Sequence, residues 1–394
     1  MKKLPFLLFC LLCSGTLFAW DYGLVLNQTP KYTHDGFEYV GTFTPWVSAL
    51  FGDNIDLYVS GFIKLKYEDD EFSFIPDLGR TEVLYRHSSG MTLGAGRMDY
   101  MDPAGMVASG LYDGFSGNFR FGNGLSFRAN ALYSGLVNKK NAEIVLSPAD
   151  ADDFADDDRF LAPSRALASG ILTIPGLFGV HNELSVGLIG QFDLGFDDIW
   201  YHSQYLSVNY DFNRVRNLEL SLDLSAALAE YSFEDETELE FTAAASLEAL
   251  YRLPVSRPAS VFAGVRWASG DSGPFSPYKP VNVLSQGKVF TPNLSGLTKI
   301  NLGAGVRVTE KIYTELLANY FLRTDMTTVS DEDIDPDSDS YALGGEIYAS
   351  LIWAPVSDVS FILGGGAFLP QLGDAFVSDA DVQWLVSLAV VLSL

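Results

Sequence analysis

Hydrophobic and polar residues alternate with a two-residue period along most of this chain. Residues 383–394 show the pattern most clearly, because Trp384, Leu388 and Leu392 share one continuous apolar face with neighbouring valines and leucines. The opposite face is mixed. Side chains of a β-strand point to alternate faces, so this pattern predicts a strand that lies between lipid and an aqueous lumen.

Alternation and turn residues together predict 18 strands, most of them of the roughly 9 to 15 residues that a tilted membrane strand with short extensions needs. The predicted strands are 20–28, 37–51, 55–68, 72–86, 90–98, 111–121, 125–136, 166–175, 182–194, 201–212, 217–229, 238–252, 258–268, 297–309, 312–323, 341–353, 358–368 and 382–394. Short connections follow the even-numbered strands, whereas long or acidic connections tend to follow the odd-numbered ones. The predicted fold is therefore an all-β, transmembrane antiparallel β-barrel with short periplasmic turns and long extracellular loops.

The two-residue period does not by itself distinguish a barrel from a soluble sandwich, which would bury the same leucines between two sheets. Strand number, loop asymmetry and aromatic residues near strand ends favour the barrel, because membrane strands carry Tyr and Trp at both interfaces. The predicted outward aromatics are Tyr67, Tyr85, Tyr133, Tyr251, Trp267, Tyr320, Trp353 and Trp384. Pro45 within the second strand removes a ladder donor and predicts an irregularity there.

The start of the chain resembles a secretory signal peptide. Two lysines precede an apolar run, and Ala19 precedes the predicted cleavage site, so residues 1–19 are expected to be removed. Both cysteines lie in this segment, which excludes disulfides and thiolate metal sites from the mature chain. Residues 20–394 are predicted to form the barrel in a Gram-negative type outer membrane, after folding by the outer-membrane insertion machinery.

Net charge and motif content exclude several classes of function. The formal net charge of −25 disfavours nucleic-acid binding, because a phosphate backbone would be repelled. The four histidines are dispersed, so catalysis is not expected, and no cofactor motif is present. Acidic tracts at 150–158 and 331–339 offer oxygen ligands for Ca²⁺, but neither matches a calcium-loop pattern, so we interpret both as solvated loops. The first tract could also fold inward as a gate.

Several segments in the last third of the chain have a recognisable order and spacing. Residues 264–275 read GVRWASGDSGPF, in which an aromatic residue is followed by A-S-G-D and a proline. A strand at 302–308 then leads into the T-E-K turn at 309–311. The G-G-E segment at 344–346 precedes a glycine-rich strand that ends at Leu369 and Pro370.

In this order, residues 262–380 resemble the alginate-export family of outer-membrane proteins. The resemblance implies an 18-stranded barrel that carries a polyanionic sugar polymer through a lumen rich in arginine. It also implies a monomer.

Alternate residues of the predicted strands point inward and give the lumen a basic wall and an acidic wall. The basic residues of the predicted solute path are Arg80, Arg86, Arg97, Arg120, Arg128, Arg266, Lys299, Arg307 and Arg323. The opposing acidic wall consists of Asp193, Glu219, Asp223, Glu240 and Glu346. Guanidinium groups bind carboxylates in a bidentate geometry, so a ladder of arginines suits an anionic sugar.

These charges support two interpretations. In the first, the chain is an outer-membrane channel or porin through which hydrophilic solutes, anionic saccharides among them, diffuse passively. In the second, opposite charges pair across a filled lumen and the chain is a structural or adhesive surface barrel. The first is the predicted function. Its predicted partners are outer-membrane lipid and a hydrophilic or saccharide solute.

Overall fold

The computed structural model describes residues 18–394 except Asp69, 196–198, 234–235, Ser330 and Glu332. The described strands are β1 (Phe18–Thr33), β2 (Phe37–Phe51), β3 (Ile55–Glu68), β4 (Glu71–Arg86), β5 (Thr92–Met101), β6 (Ser109–Arg120), β7 (Ser126–Tyr133), β8 (Arg165–Pro175), β9 (Glu183–Asp193), β10 (Trp200–Val215), β11 (Leu218–Phe233), β12 (Glu236–Arg252), β13 (Ala259–Ala268), β14 (Leu297–Thr309), β15 (Ile312–Arg323), β16 (Ala342–Val356), β17 (Val359–Leu369) and β18 (Gln383–Ser393). Each strand pairs antiparallel with the next, and β1 also pairs with β18. The sheet therefore closes into an 18-stranded barrel, which confirms the predicted fold class.

The first strand is longer than predicted. It continues to Thr33 instead of ending at 28, although Pro30 has no N–H group to donate. The ladder to β2 runs through Pro30, whereas the ladder to β18 passes from Gln28 directly to Lys31. Because the ladder to β18 is interrupted at Pro30, the missing N–H group of the proline leaves no acceptor of β18 without its partner. Residues 1–17 of the predicted signal peptide lie outside the described residues, so the cleavage site stays a prediction.

The outer face of the barrel is apolar. Leu302, Leu316 and Val386 are about half exposed and alternate with residues that face the interior. A closed antiparallel sheet leaves no unpaired edge and presents this face to lipid. Tyr251, Trp353 and Trp384, which are three of the predicted outward aromatics, are also exposed. No helix in the described ranges has the length and apolar character needed to cross a membrane.

The predicted irregularity at Pro45 is present. The ladder between β2 and β3 pairs Phe43 with Ile63 and then resumes at Trp46 and Ser60, so Thr44 and Pro45 are left out. The register is the same on both sides of this gap. The effect of the proline is therefore confined to a local break in hydrogen bonding.

Long connections lie at one end of the barrel, and several of them fold into the lumen. We number them L1 to L9 in chain order and use L3 (102–108), L4 (134–164), L7 (269–296), L8 (324–341) and L9 (370–382). L4 contains two short helices, α1 (Lys139–Ala142) and α2 (Pro148–Ala155). Buried residues of L3, L4 and L7 form one apolar cluster with the inner faces of β5 to β13. A second cluster joins L7, L8 and L9 around Phe290, whose ring stacks on Phe368 at 4.3 Å.

Candidate functional site

L3 crosses part of the lumen and is fixed there by Asp102. The buried carboxylate of Asp102 accepts hydrogen bonds from the backbone N–H groups of Ala104, Val107 and Ala108 within its own loop. The hydroxyl of Ser207 on β10 donates a further bond to the same carboxylate at 2.6 Å. One side chain therefore both shapes the loop and attaches it to the far wall.

L7 lies directly on L3. The backbone N–H of Val281 donates to the Val107 carbonyl at 2.7 Å, and the Tyr278 hydroxyl donates to the Met106 carbonyl at 2.9 Å. Burial raises the pKa of Tyr278 well above its usual range, so this phenol remains a donor. The two loops together narrow the lumen on the side of β8 to β12.

Glu346 anchors the other end of L7 to the barrel wall. The carboxylate of Glu346 accepts hydrogen bonds from the backbone N–H groups of Lys288, Val289 and Phe290, and from the Asn319 side chain at 2.7 Å. Its side chain is buried. Predicted as part of an acidic wall, Glu346 instead holds a loop in place and presents little free charge to the lumen.

Glu240 is also engaged by L7. The Nζ atom of Lys279 lies 3.2 Å from the Glu240 carboxylate. The same Nζ lies 4.6 Å from the centre of the Tyr201 ring and 5.4 Å from that of Tyr231, which places the ammonium group between two aromatic faces. L7 is thus clamped to the inner wall at β10 to β12.

An arginine that the sequence analysis did not single out lies at the base of L4. Arg165 is fully buried, and its guanidinium contacts the carboxylates of Asp150 at 2.6 Å and Asp193 at 3.0 Å. It also donates to the Tyr201 carbonyl at 3.0 Å. The sequence provided little indication of this contact, because its partner Asp150 belongs to an acidic tract whose composition indicates a solvated loop. Asp193 is therefore part of a buried ion triad.

Part of that acidic tract is folded instead of solvated. Asp150 forms a capping box with Ser147 at the start of α2 and is buried. Asp153 pairs with Arg159. Among the described residues, no group of three His, Cys, Asp or Glu side chains could hold a metal ion. The first acidic tract thus serves to attach L4 to basic side chains of the barrel and of the loop itself.

Arg97 does not face the lumen as predicted. Met98 and Tyr100 belong to the apolar cluster inside the barrel, so the alternation of β5 places Arg97 on the opposite face. Its buried guanidinium contacts Asp77 at 2.7 Å and Asp113 at 2.9 Å. Near L3, the inner face of β5 is apolar because it packs against the loops that fold into the lumen. Polar residues are expected on this inner face from the sequence, and Arg97 was therefore assigned to the wrong side of the strand.

Arg323 is likewise removed from the path. Its side chain is 3% exposed and donates to the carbonyls of Ser340 at 2.8 Å and Ser338 at 2.6 Å. Both acceptors belong to L8. The guanidinium therefore stabilises the base of L8 and is enclosed by protein.

The other basic residues of the predicted path fall into two groups. Arg80 and Arg86 face the lumen in ion pairs, Arg80 with Glu82 at 2.8 Å and Arg86 with Asp56. Arg120, Arg128 and Arg307 make no ion pair within the described part of the chain. Arg128 donates a long bond of 3.4 Å to the Met101 carbonyl, whereas Arg120 and Arg307 are exposed at the end with short turns.

The remaining acidic residues are Glu219 and Asp223. Glu219 pairs with Arg252 near the turn between β10 and β11, and both side chains are partly exposed. Asp223 is buried on the inner face of β11 and accepts a hydrogen bond from the Asn209 amide at 2.9 Å. Asp223 thus keeps a carboxylate on the wall without a cation in direct contact.

Arg266 and Lys299 form the most concentrated basic feature of the lumen. They stand directly opposite each other on β13 and β14, and Gln286 of L7 bonds to both, through Oε1 to Arg266 at 3.3 Å and through its carbonyl to Lys299 at 3.1 Å. Arg266 also forms an ion pair with Glu248 at 3.6 Å. Like charges opposite each other on a sheet are destabilising, so this pair would gain from a bound anion.

A closed 18-stranded antiparallel barrel with an apolar outer face and loops folded into a charged lumen has the architecture of outer-membrane channels. This confirms the predicted location in a Gram-negative type outer membrane. No protein-family model matches the sequence, and no curated protein matches it. The predicted resemblance to the alginate-export family therefore stays a prediction.

Solved structures with the same fold include proteins of Pseudomonas aeruginosa. The outer membrane protein OprD aligns with a TM-score of 0.62 and 15% identity, over 95% of this chain and 94% of OprD. OccK2 (OpdF) in complex with glucuronate gives 0.62 and 14%, over 95% and 96%. OpdK with vanillate gives 0.63 and 13%, over 95% and 98%. At these identities the likeness shows a shared fold.

Proposed function

We propose that this chain is a passive outer-membrane channel for small hydrophilic solutes that carry a carboxylate. The observation that carries the proposal is the Arg266 and Lys299 pair beside L7. Two cations held opposite each other, with Gln286 bonded to both, offer donors to one carboxylate at the point where a loop narrows the lumen. Arginine in particular matches a carboxylate in a bidentate geometry.

The distribution of engaged and free charges supports the same preference. Asp193, Glu240 and Glu346 of the predicted acidic wall are tied to Arg165, Lys279 and L7. By contrast, three basic residues of the path make no ion pair within the described part of the chain: Arg120, Arg128 and Arg307. At Arg266 and Lys299, Glu248 balances one of the two positive charges and the carboxylate of Glu346 is taken up by L7, so a net positive charge remains there. Asp223, Glu315, Glu183, Asp211 and Glu238 make no ion pair among the described residues, so the preference for anions is expected to be moderate.

Ligands of two proteins with this fold agree with the proposal. Glucuronate, bound to OccK2, and vanillate, bound to OpdK, both carry a carboxylate. The alginate-export resemblance also suggests a uronate as solute. L3, L4 and L7 fill part of the lumen, which favours small solutes over a wide polymer. A saccharide acid of one or a few rings fits these constraints.

The double variant Arg266→Ala/Lys299→Ala is expected to reduce anion preference. Planar-bilayer recording of the reversal potential in a KCl gradient measures this, and the wild-type potential is expected to lie on the anion side. Removing two charges at the narrowing should shift the potential toward the cation side, because fixed charge in a narrow pore sets ion preference.

Lys311→Ala is the matched control. It removes a positive charge at the short turn between β14 and β15, where Lys311 donates to the Pro355 carbonyl away from the lumen. Its reversal potential should equal that of wild type. An unchanged potential in the double variant would contradict the assigned site. A folded barrel that conducts no ions would instead favour the plugged structural barrel.

A further inference from the structure

An apolar row crosses the lumen wall of β12 to β18 in continuous register. Each residue stands directly opposite the next on the adjacent strand, and all of them face inward. The row consists of Leu250, Phe262, Gly303, Leu317, Tyr348, Gly366 and Leu385. We name it the ring row. Apolar side chains that stay on the lumen wall require a physical reason, because burial would remove their surface from water.

Each of the two aromatic side chains of the ring row lies over a glycine of the adjacent strand. A Cβ atom at Gly303 would stand 2.1 Å from the Phe262 ring, and one at Gly366 would stand 2.9 Å from the Tyr348 ring. Each glycine therefore provides the space that its neighbouring ring occupies. Both rings are half-buried: part of each ring covers a neighbouring glycine, and part of each remains accessible to solvent.

Polar residues border the ring row on both sides. The borders lie two residues from the ring row along each strand, one on either side of it. The border nearer the loops contains Glu248, Asn301, Asn319 and Glu346, and the border nearer the short turns contains Arg252, Ser260, Glu315, Ser350 and Ser387. The two borders are four residues apart along each strand, a distance of roughly 13 Å. Hydrogen-bonding groups thus flank an apolar platform that is wide enough for a pyranose ring together with its hydroxyl groups.

A cavity lies at the Phe262 end of the ring row. Its volume is about 390 Å³, and its lining includes Leu250, Phe262, Asn301 and the carboxylates Asp211, Glu219 and Glu248. Ligand pockets generally occupy roughly 300–1,000 Å³ and combine an apolar lining with a few placed polar groups. The cavity has both the size and the composition of such a site.

We infer that the ring row is a stacking track for pyranose rings. This inference rests on the proposed channel function and specifies its solutes as sugars in ring form or their acids. The C–H faces of a pyranose pack on Phe262 and Tyr348, while hydroxyl groups around its rim donate to Glu248, Glu315 and Asn301. A flat aromatic acid would stack equally well but would leave these acceptors unpaired, which costs free energy.

The test compares two uncharged solutes that differ in ring closure. Glucose is a pyranose, and sorbitol is its open-chain alcohol of nearly the same mass. Because neither solute carries a carboxylate, neither depends on the basic site at Arg266 and Lys299. Each is titrated against the wild-type channel in a planar bilayer, and block of the ion current is measured. Glucose is expected to half-block the current at a concentration roughly two- to tenfold lower than sorbitol.

The variant Phe262→Ala/Tyr348→Ala should abolish this difference. Phe262→Leu preserves apolar volume and should weaken it, which covers the case in which the double variant does not fold. Phe361→Ala is the matched control, since Phe361 faces lipid on β17 and stacks on Trp353. Its preference for glucose should equal that of wild type.

The outcomes separate the ring row from the channel function. Equal block by glucose and sorbitol in an anion-selective wild-type channel would overturn the ring row and leave the proposed function standing. Loss of the preference in Phe361→Ala to the same extent as in Phe262→Leu would also overturn it. A folded wild-type barrel without conductance would overturn both. A ring preference that falls only in the Phe262 and Tyr348 variants supports the track.

Discussion

Glu346→Ala is expected to release L7 from the barrel wall and to produce a noisy current of higher mean conductance. In the wild type, the buried carboxylate accepts from the backbone N–H groups of Lys288, Val289 and Phe290. Its removal leaves these donors without partners in a buried place, at a cost of about 1–3 kcal/mol for each group. L7 would move to let water reach them, which widens the lumen.

Single-channel recording checks this expectation, because loop motion appears as open-channel noise and as conductance substates. Glu346→Gln keeps one acceptor oxygen and should give an intermediate noise level. Glu310→Ala serves as the control, since it removes an exposed acid at the short turn between β14 and β15, at the end of the barrel away from L7. A quiet current of wild-type size in Glu346→Ala would show that L7 does not depend on this anchor.

Arg165→Leu is expected to destabilise the barrel by about 3–5 kcal/mol, because it leaves the carboxylates of Asp150 and Asp193 buried without a cation. The guanidinium is fully buried and also bonds to the Tyr201 carbonyl, so water does not substitute for it readily. The loss should loosen L4 from β8 and β9. Equilibrium unfolding of the refolded protein in lipid vesicles with denaturant measures the change in free energy of unfolding.

Arg159→Leu is the matched control for this prediction. Arg159 pairs with Asp153 in the same loop, but its side chain is 53% exposed, so its removal should cost under about 1 kcal/mol. The triple variant Arg165→Leu/Asp150→Leu/Asp193→Leu should recover part of the lost stability, because no buried charge remains unpaired. Equal free energies of unfolding for Arg165→Leu and Arg159→Leu would contradict the role of the triad.

The sequence predicted the strands well because strand alternation is a local property. The predicted and observed bounds agree within a few residues for most strands, and β1 differs because Pro30 reads as a strand end. The phase of alternation was wrong at Arg97. In β5 the inward face begins with Gly94 and Gly96, which carry no hydrophobic signal, and continues with Met98 and Tyr100 against the loops.

The roles of the charged residues could not be predicted in the same way. Asp102 and Ser207 are 105 positions apart, and Glu346 and Val289 are 57 positions apart. Such contacts depend on where a loop folds after the barrel has closed, and the composition of the loop does not encode that position. The sequence therefore identified which residues face inward more often than it identified their partners.

The sequence by itself determined an 18-stranded barrel with an apolar outer face. Alternation gave the direction of each side chain, since neighbours two residues apart share a face, and strand number, loop asymmetry and aromatic residues near strand ends distinguished the barrel from a sandwich. Only the tertiary structure decided that L3, L4 and L7 fill part of the lumen and that Glu346 and Arg165 hold them there. It also decided that Phe262 and Gly303 stand in one row, because strand register arises from pairing across the sheet. Local periodicity specifies the wall, and contacts between distant segments specify what lies within it.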